Sequence, residues 1–383
     1  MQLVDSISDP ALGKAAAPCA SAEPPEMRQR HDMARRERIP IFESLQAGRG
    51  LAAIMVVLYH TEGILSLSKY WHSTTRYFHF GASGVNFFFV LSGIVILHAH
   101  RDDLGEPGQL PLYWWKRARR IYPIYWVVLF AIMPVYFVFP SLGAGFERTP
   151  SVIAGSLLLI PIVRMETIVP VAWTLFHEVM FYLTFSVLVW RKTAGIMIMA
   201  IWMLASIWSV FFPPVGAVLA SYISPLHLLF GLGMMIAVVV RRSSVSGLPY
   251  VLIGTSGFII FCCIDDMQRS NLPSLQLAFG LCAGIAATGF MLCEKQRILR
   301  IPSVLTFLGE ASYSIYLIHY TALSISAKIV HRVWLLHPVP IWVAGVVLLV
   351  IALTSGIALH LLVEKPILKL IPRAVTVRPK FLS

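Results

Sequence analysis

Charge is what this sequence has least of: 13% of its 383 residues are Asp, Glu, Lys or Arg, against 57% that are hydrophobic. A balance that apolar excludes an ordinary soluble domain of this size. Acidic residues are the scarcer sign, 19 against 31 Lys and Arg, which leaves a formal net charge of +12. Cysteine is sparse too: Cys19, Cys262, Cys263, Cys282 and Cys293 form no metal or redox spacing, and most lie in apolar runs where a thiol acts as a small hydrophobe. No metal site is expected. Repeats of 20–50 residues are missing, and the second half does not echo the first in the manner of inverted-repeat transporters. Residues 1–40 lack the apolar core of a signal peptide; rich in Ala, Pro, Glu and Arg, they read as a disordered cytoplasmic tail.

What is present is length without charge. Ten apolar stretches, near 45–65, 82–98, 121–139, 171–190, 194–212, 223–240, 248–264, 273–293, 304–326 and 339–362, approach the length that crosses a bilayer as a helix. The expected fold is all-α and polytopic: about ten transmembrane helices in a membrane domain over 41–370, a short cytoplasmic tail over 371–383, and both termini cytoplasmic. An eleventh stretch, 151–163, is broken by Pro161 and reads as an interfacial or re-entrant piece rather than a span. Most of the 31 Lys and Arg fall in segments that this topology leaves inside, as the positive-inside rule requires. The net charge is then mostly topology, and no nucleic-acid partner is needed to explain it.

Against that background the ionisable residues within spans become informative, because they are costly in hydrocarbon and by default mark function. Arg49 and His60 share the first span, separated by roughly 16 Å along a helix, with Arg49 at the cytoplasmic mouth. Counting from helix ends brings Asn86, Glu178 and His319 to a depth near that of His60. Glu178 at that depth has to be paired or protonated, and His60 and His319 are its expected partners. A lone buried His is more often a packing residue, which is the reading for His98, His227 and His360; Glu62, His177 and Glu310 rank below Glu178. On the cytoplasmic side YWWKRARRIYP clusters Lys116, Arg117, Arg119 and Arg120 before the third stretch. It reads either as a positive-inside anchor or as a phosphate clamp of bidentate guanidiniums that Arg49 joins.

Taken together and in order, these segments resemble acyltransferase family 3, a family of integral membrane acyltransferases, from about Leu45 to Pro366. The carriers are Arg49 with His60, GASGVNFFFVLSG, RARRIYP with Arg117, Arg120 and Pro123, WTLFHE ending in Glu178, LGEASYSIYLIH with Tyr316 and His319, and EKP from Glu364 to Pro366. Gln46, where the family often has Asp, makes QAGRG similar to the branch of bacterial exopolysaccharide production. Asn86 stands where the family is often acidic.

The resemblance implies a multi-pass O-acyltransferase of the bacterial inner membrane. Its donor is cytoplasmic acyl-CoA, most often acetyl-CoA, with no metal. Its acceptor is a hydroxyl of a surface polysaccharide or of its lipid-linked precursor, in the company of membrane lipids and polysaccharide assembly proteins. Arg49, Arg117 and Arg120 are the expected binders of CoA phosphates. Neutral His60 is the expected general base, Glu178 its orienter, and Tyr316, His319 or Asn86 the donors to the oxyanion. An acyl-imidazole on His60 is a rival chemical route. From another class, a transporter with a His/Glu proton relay is the alternative, and a catalytically silent assembly partner is a third.

Overall fold

The computed structural model describes residues 42–67, 69–73, 77–161, 166–268 and 273–372. Every regular element among them is helical, with no strand. That follows from the solvent, since in hydrocarbon each backbone N–H and C=O must find its partner within the protein. The long helices are α1 Glu43–Leu65, α2 Gly84–His100, α3 Leu110–Val138, α5 Trp173–Trp190, α6 Lys192–Phe211, α8 His227–Arg242, α9 Leu248–Gln268, α10 Pro273–Lys295, α11 Ser303–Leu336 and α12 Ile341–Leu359. Shorter pieces are α4 Pro150–Leu158, α7 Ala217–Tyr222 and α13 Lys365–Leu370. The ten long helices coincide with the ten apolar stretches. The expected tails lie outside the described residues, apart from 371–372.

Eight helical segments among the described residues are long and apolar enough to cross a membrane, and neither α1 nor α11 is one of them. Both carry polar side chains into the bundle, and they pack on each other more extensively than any other pair of helices. Their contact is close because it is built from small residues. Gly309 faces the backbone carbonyl of Gln46 so tightly that a Cβ has no room, and α12 completes a seam with Ala53, Ala311, Ala327, Ala344 and Ala352. Without a hydrophobic drive between helices in lipid, such backbone approach is what holds them. The start of α1 has no cap of its own. The Glu294 carboxylate, from the end of α10, accepts the N–H groups of Glu43 and Ser44 at 2.8 and 2.9 Å, satisfying two orphan donors at the positive end of the helix.

Two boundaries differ from the sequence reading. The third helix begins at Leu110 rather than near 121, so the whole basic segment forms its first turns and Pro123 sits inside it. Proline is a weaker stop within a packed bundle than in water, because neighbouring groups take up the freed carbonyl. The ninth long helix, α11, runs to Leu336, beyond the expected 326, and its end packs Trp334 and His331 on Trp71. The stretch at 151–163 forms only the nine-residue α4, too short to span. Tyr122, Tyr125 and Trp126 of α3 donate to the carbonyls of Leu158, Ser156 and Leu157, which seals its C-terminal end.

Candidate active site

A cavity of about 470 Å³ opens beside His60, between α1, α9, α10, α11 and the 3-10 turn His79–Ser83. The imidazole of His60 makes no hydrogen bond among the described residues; its ring lies 5.0 Å from Tyr59, 5.2 Å from His319 and 5.1 Å from Tyr320. His319 is fully buried. Its Nδ1 lies 2.7 Å from the Tyr316 carbonyl, which can only accept, so Nδ1 carries the proton and Nε2 of the neutral ring is an acceptor without a partner among the described residues. Asn86 lines the same cavity and gives one Nδ2 hydrogen to the Gln276 carbonyl at 3.0 Å, with no second acceptor for Nδ2 among the described residues. The Tyr316 hydroxyl is 2.8 Å from Thr174 Oγ1 and 3.2 Å from the Val171 carbonyl, so it bridges α11 to the entry of α5.

A second, smaller cavity of about 60 Å³ lies further along α1, lined by Arg49, Arg120, Glu178, Ser92, Thr174 and Tyr316. Arg49 donates through Nη1 to Gln46 Oε1 at 3.1 Å, and its buried Nε has no partner among the described residues. Glu178 accepts from Ser92 Oγ at 3.1 Å and from the Tyr182 hydroxyl. The expected pairing of Glu178 with His60 or His319 is therefore corrected: its hydrogen bonds come from hydroxyls, and it shares a cavity with guanidiniums. The reason is depth. Ile168, Val169, Val171 and Ala172 are already buried before α5 begins, so counting from the helix end places Glu178 too shallow. Tyr316 is the side chain common to both cavities.

The three expected phosphate binders do not form one group. Arg49 and Arg120 face the smaller cavity, the inner of the two by its place nearer the start of α1, whereas Arg117 donates to His100 Nε2 at 3.2 Å, with His100 Nδ1 bonded to Asp103 at 2.8 Å. Arg117 also lies over the Tyr182 ring at 5.8 Å, while its buried Nε and Nη1 have no partner among the described residues. Arg119 is structural: it donates to the carbonyls of Leu368 and Ile371 and holds α13.

Two residues of the outer cavity stand out that no local pattern marks. His79 Nδ1 and Asp265 Oδ2 are 2.6 Å apart, and both face the space that His60 faces. They are 186 positions apart in sequence, so only the folded chain joins them. Among the described residues no group of His, Cys, Asp and Glu is placed to hold a metal ion.

With this geometry in place, comparison with known proteins decides the family. The acyltransferase domain of family 3 matches residues 42–360. The chain belongs to the acyltransferase 3 family. Its relatives include the exopolysaccharide production protein ExoZ of Rhizobium meliloti (strain 1021), 29% identical over 315 residues that cover 77% of this chain and 92% of that protein. No solved structure matches. The matched region holds every residue of both cavities. A multi-pass membrane acyltransferase is thus the class, and a transporter needs no place in the account.

Proposed function

We propose that this protein moves an acyl group, acetyl in the first instance, from cytoplasmic acyl-CoA to a hydroxyl of a bacterial surface polysaccharide or its lipid-linked precursor at the inner membrane. The observation that carries the reading is that one helix, α1, presents Arg49 to one cavity and His60 to the other, with Tyr316 between them. The roughly 16 Å between Arg49 and His60 suits a long donor held by its phosphates at one end and reacting at the other. ExoZ, by its name, supports exopolysaccharide as the acceptor class.

In this scheme Arg49 and Arg120 grip phosphate, with Glu178 as the counter-charge that lets two guanidiniums share one cavity. Arg117, whose N–H groups unpartnered among the described residues sit behind Tyr182, adds to the clamp from the side. Neutral His60 accepts the acceptor's hydroxyl proton as the oxygen attacks the thioester carbon. The C–S bond then breaks, and the imidazolium returns the proton to the departing CoA sulfur. His319 takes over the orienting task expected of Glu178: its ring lies 5.2 Å from that of His60 and its Nε2 is an unpartnered acceptor among the described residues, so a His60 nitrogen turned towards it is favoured with its proton. The second Nδ2 hydrogen of Asn86 is the best placed donor for the oxyanion, since the Tyr316 hydroxyl already has an acceptor.

The test is donor-dependent chemistry by the purified, detergent-solubilised chain. Acetyl-CoA should be consumed only when saccharide is added, with acetyl recovered as an ester on the sugar. Failure to consume any acyl-CoA with the host's own polysaccharide as acceptor would refute the assignment.

A further inference from the structure

The outer cavity holds a second imidazole that the proposed chemistry leaves unused. His79 is held from three sides. Glu62 on α1 accepts the backbone N–H of Phe78 at 3.1 and 3.2 Å, fixing the loop at its entry. The Tyr59 ring lies 5.9 Å from its ring, and Asp265 on α9 receives its Nδ1 at 2.6 Å. A carboxylate on Nδ1 sets the tautomer, so Nε2 is left as an acceptor, and it has no partner among the described residues. Around it the cavity is lined by Asn86, Trp173 and Tyr320. A wall that mixes hydrogen-bonding groups with aromatic rings suits a ring that bears several hydroxyls and has apolar C–H faces.

We propose that the His79–Asp265 pair is the acceptor-saccharide subsite. His79 Nε2 accepts a hydrogen bond from a hydroxyl other than the one acylated, and so fixes which hydroxyl reaches His60. Asp265 holds the proton of the neutral ring on Nδ1 and so aims Nε2 at the cavity. His79 is a positioning residue and takes no proton in the reaction; this deepens the transfer reading above and rests on it for the identity of the acceptor.

The probe is an oligosaccharide released from the host's surface polysaccharide by partial acid hydrolysis and stripped of its O-acyl esters. Its binding to the intact detergent-solubilised chain is measured by calorimetry, separately from transfer. His79→Ala is expected to weaken binding about tenfold, the loss of one hydrogen bond and the stranding of its partner, or about 1.4 kcal/mol. CoA binding by the same variant should be unchanged, which also certifies its fold. His79→Gln, which can return an acceptor near the Nε2 position, should recover most of the affinity and most of the transfer. Asp265→Asn should fall between the two. Wild-type protein that does not bind the oligosaccharide, or a His79→Ala variant that binds it normally, overturns the subsite. So does a His79→Gln variant that binds but loses transfer as completely as a His60 variant, because His79 would then be moving the proton. Binding that depends on His79 without any transfer in the wild type leaves the subsite standing and removes the acyltransferase reading instead.

Discussion

Replacing His60 with Ala tests the division of labour between the two ends of α1. Loss of a positioned general base costs a factor of about 100 to 10,000 in rate, or about 2.7 to 5.5 kcal/mol in the barrier. The fold should survive, because His60 makes no hydrogen bond among the described residues and borders the cavity. What it loses is edge contact with Tyr59 and Tyr320 and the tilted contact with His319, about 1 kcal/mol for each contact. Donor binding should also survive, since Arg49 lies roughly 16 Å away along the helix and Arg120 lines the other cavity. Single-turnover transfer from labelled acetyl-CoA, alongside equilibrium CoA binding, separates the two effects. The pH profile adds a sign. Only the neutral imidazole accepts a proton, so wild-type transfer should decline as falling pH protonates His60, and the residual rate of the variant should lose that acid limb. Turnover within threefold of wild type, or an acid limb that persists without His60, refutes the assignment. Acetyl found covalently on the wild-type imidazole in a donor-only quench would replace direct transfer with the two-step route.

Further outcomes follow from the same geometry. Arg120→Lys keeps the charge but loses the bidentate fork, so the Kd for CoA should rise about tenfold with membrane insertion unchanged; Arg117→Lys, further from the inner cavity, should have the smaller effect, and equal or absent effects would count against the clamp. Glu178→Ala leaves Arg49 and Arg120 in one cavity without a counter-charge and should cost about 3 kcal/mol of stability, read as a lower unfolding midpoint in detergent, whereas an unchanged midpoint would show the carboxylate to be dispensable. Gly309→Val should separate α1 from α11, at about 1–3 kcal/mol and with loss of transfer, and wild-type activity there would contradict the close crossing. In a background without native cysteines, Ala20→Cys and Arg378→Cys should react only with reagent supplied inside the cell and Lys69→Cys with reagent outside; the opposite labelling would invert the sidedness assigned to the two cavities.

The ten helices were legible because apolar length is a local property, and so was the order of motifs that marks the family. Depth was not. Glu178 was read at the level of His60 because the count began at the helix end, and nothing in the letters of 166–172 says that the chain has already entered the bundle before α5 starts. Contact across the bundle was equally closed to inspection. The His79–Asp265 pair joins a turn to the far end of another helix, and Arg119 and Arg120, neighbours in sequence, part company: one ties down α13 and the other faces the inner cavity. A helical step of 100° per residue separates adjacent arginines in function, and helix rotation has to be known before roles can be divided among them.

The two long helices that fall outside the eight segments apolar enough to cross a membrane are the two that carry most of the proposed site. α1 contributes Arg49 and His60, and α11 contributes Tyr316 and His319. Polar side chains are tolerable in a membrane when they face protein or a water-filled space rather than lipid. The Gly50 and Gly309 contacts press α1 and α11 together, while α2, α10 and α12 pack against α1 on its other sides. Small residues on the facing surfaces are therefore what permits ionisable residues in the cavities: they bring the helices close enough to hide polar groups from hydrocarbon, and leave the open volume where those groups point. The same arrangement explains why Arg49 and His60 occupy one helix. A rigid α1, capped at its start by Glu294 and clamped along its length, holds the proposed phosphate-binding group and the proposed proton acceptor at a fixed separation that no loop could maintain.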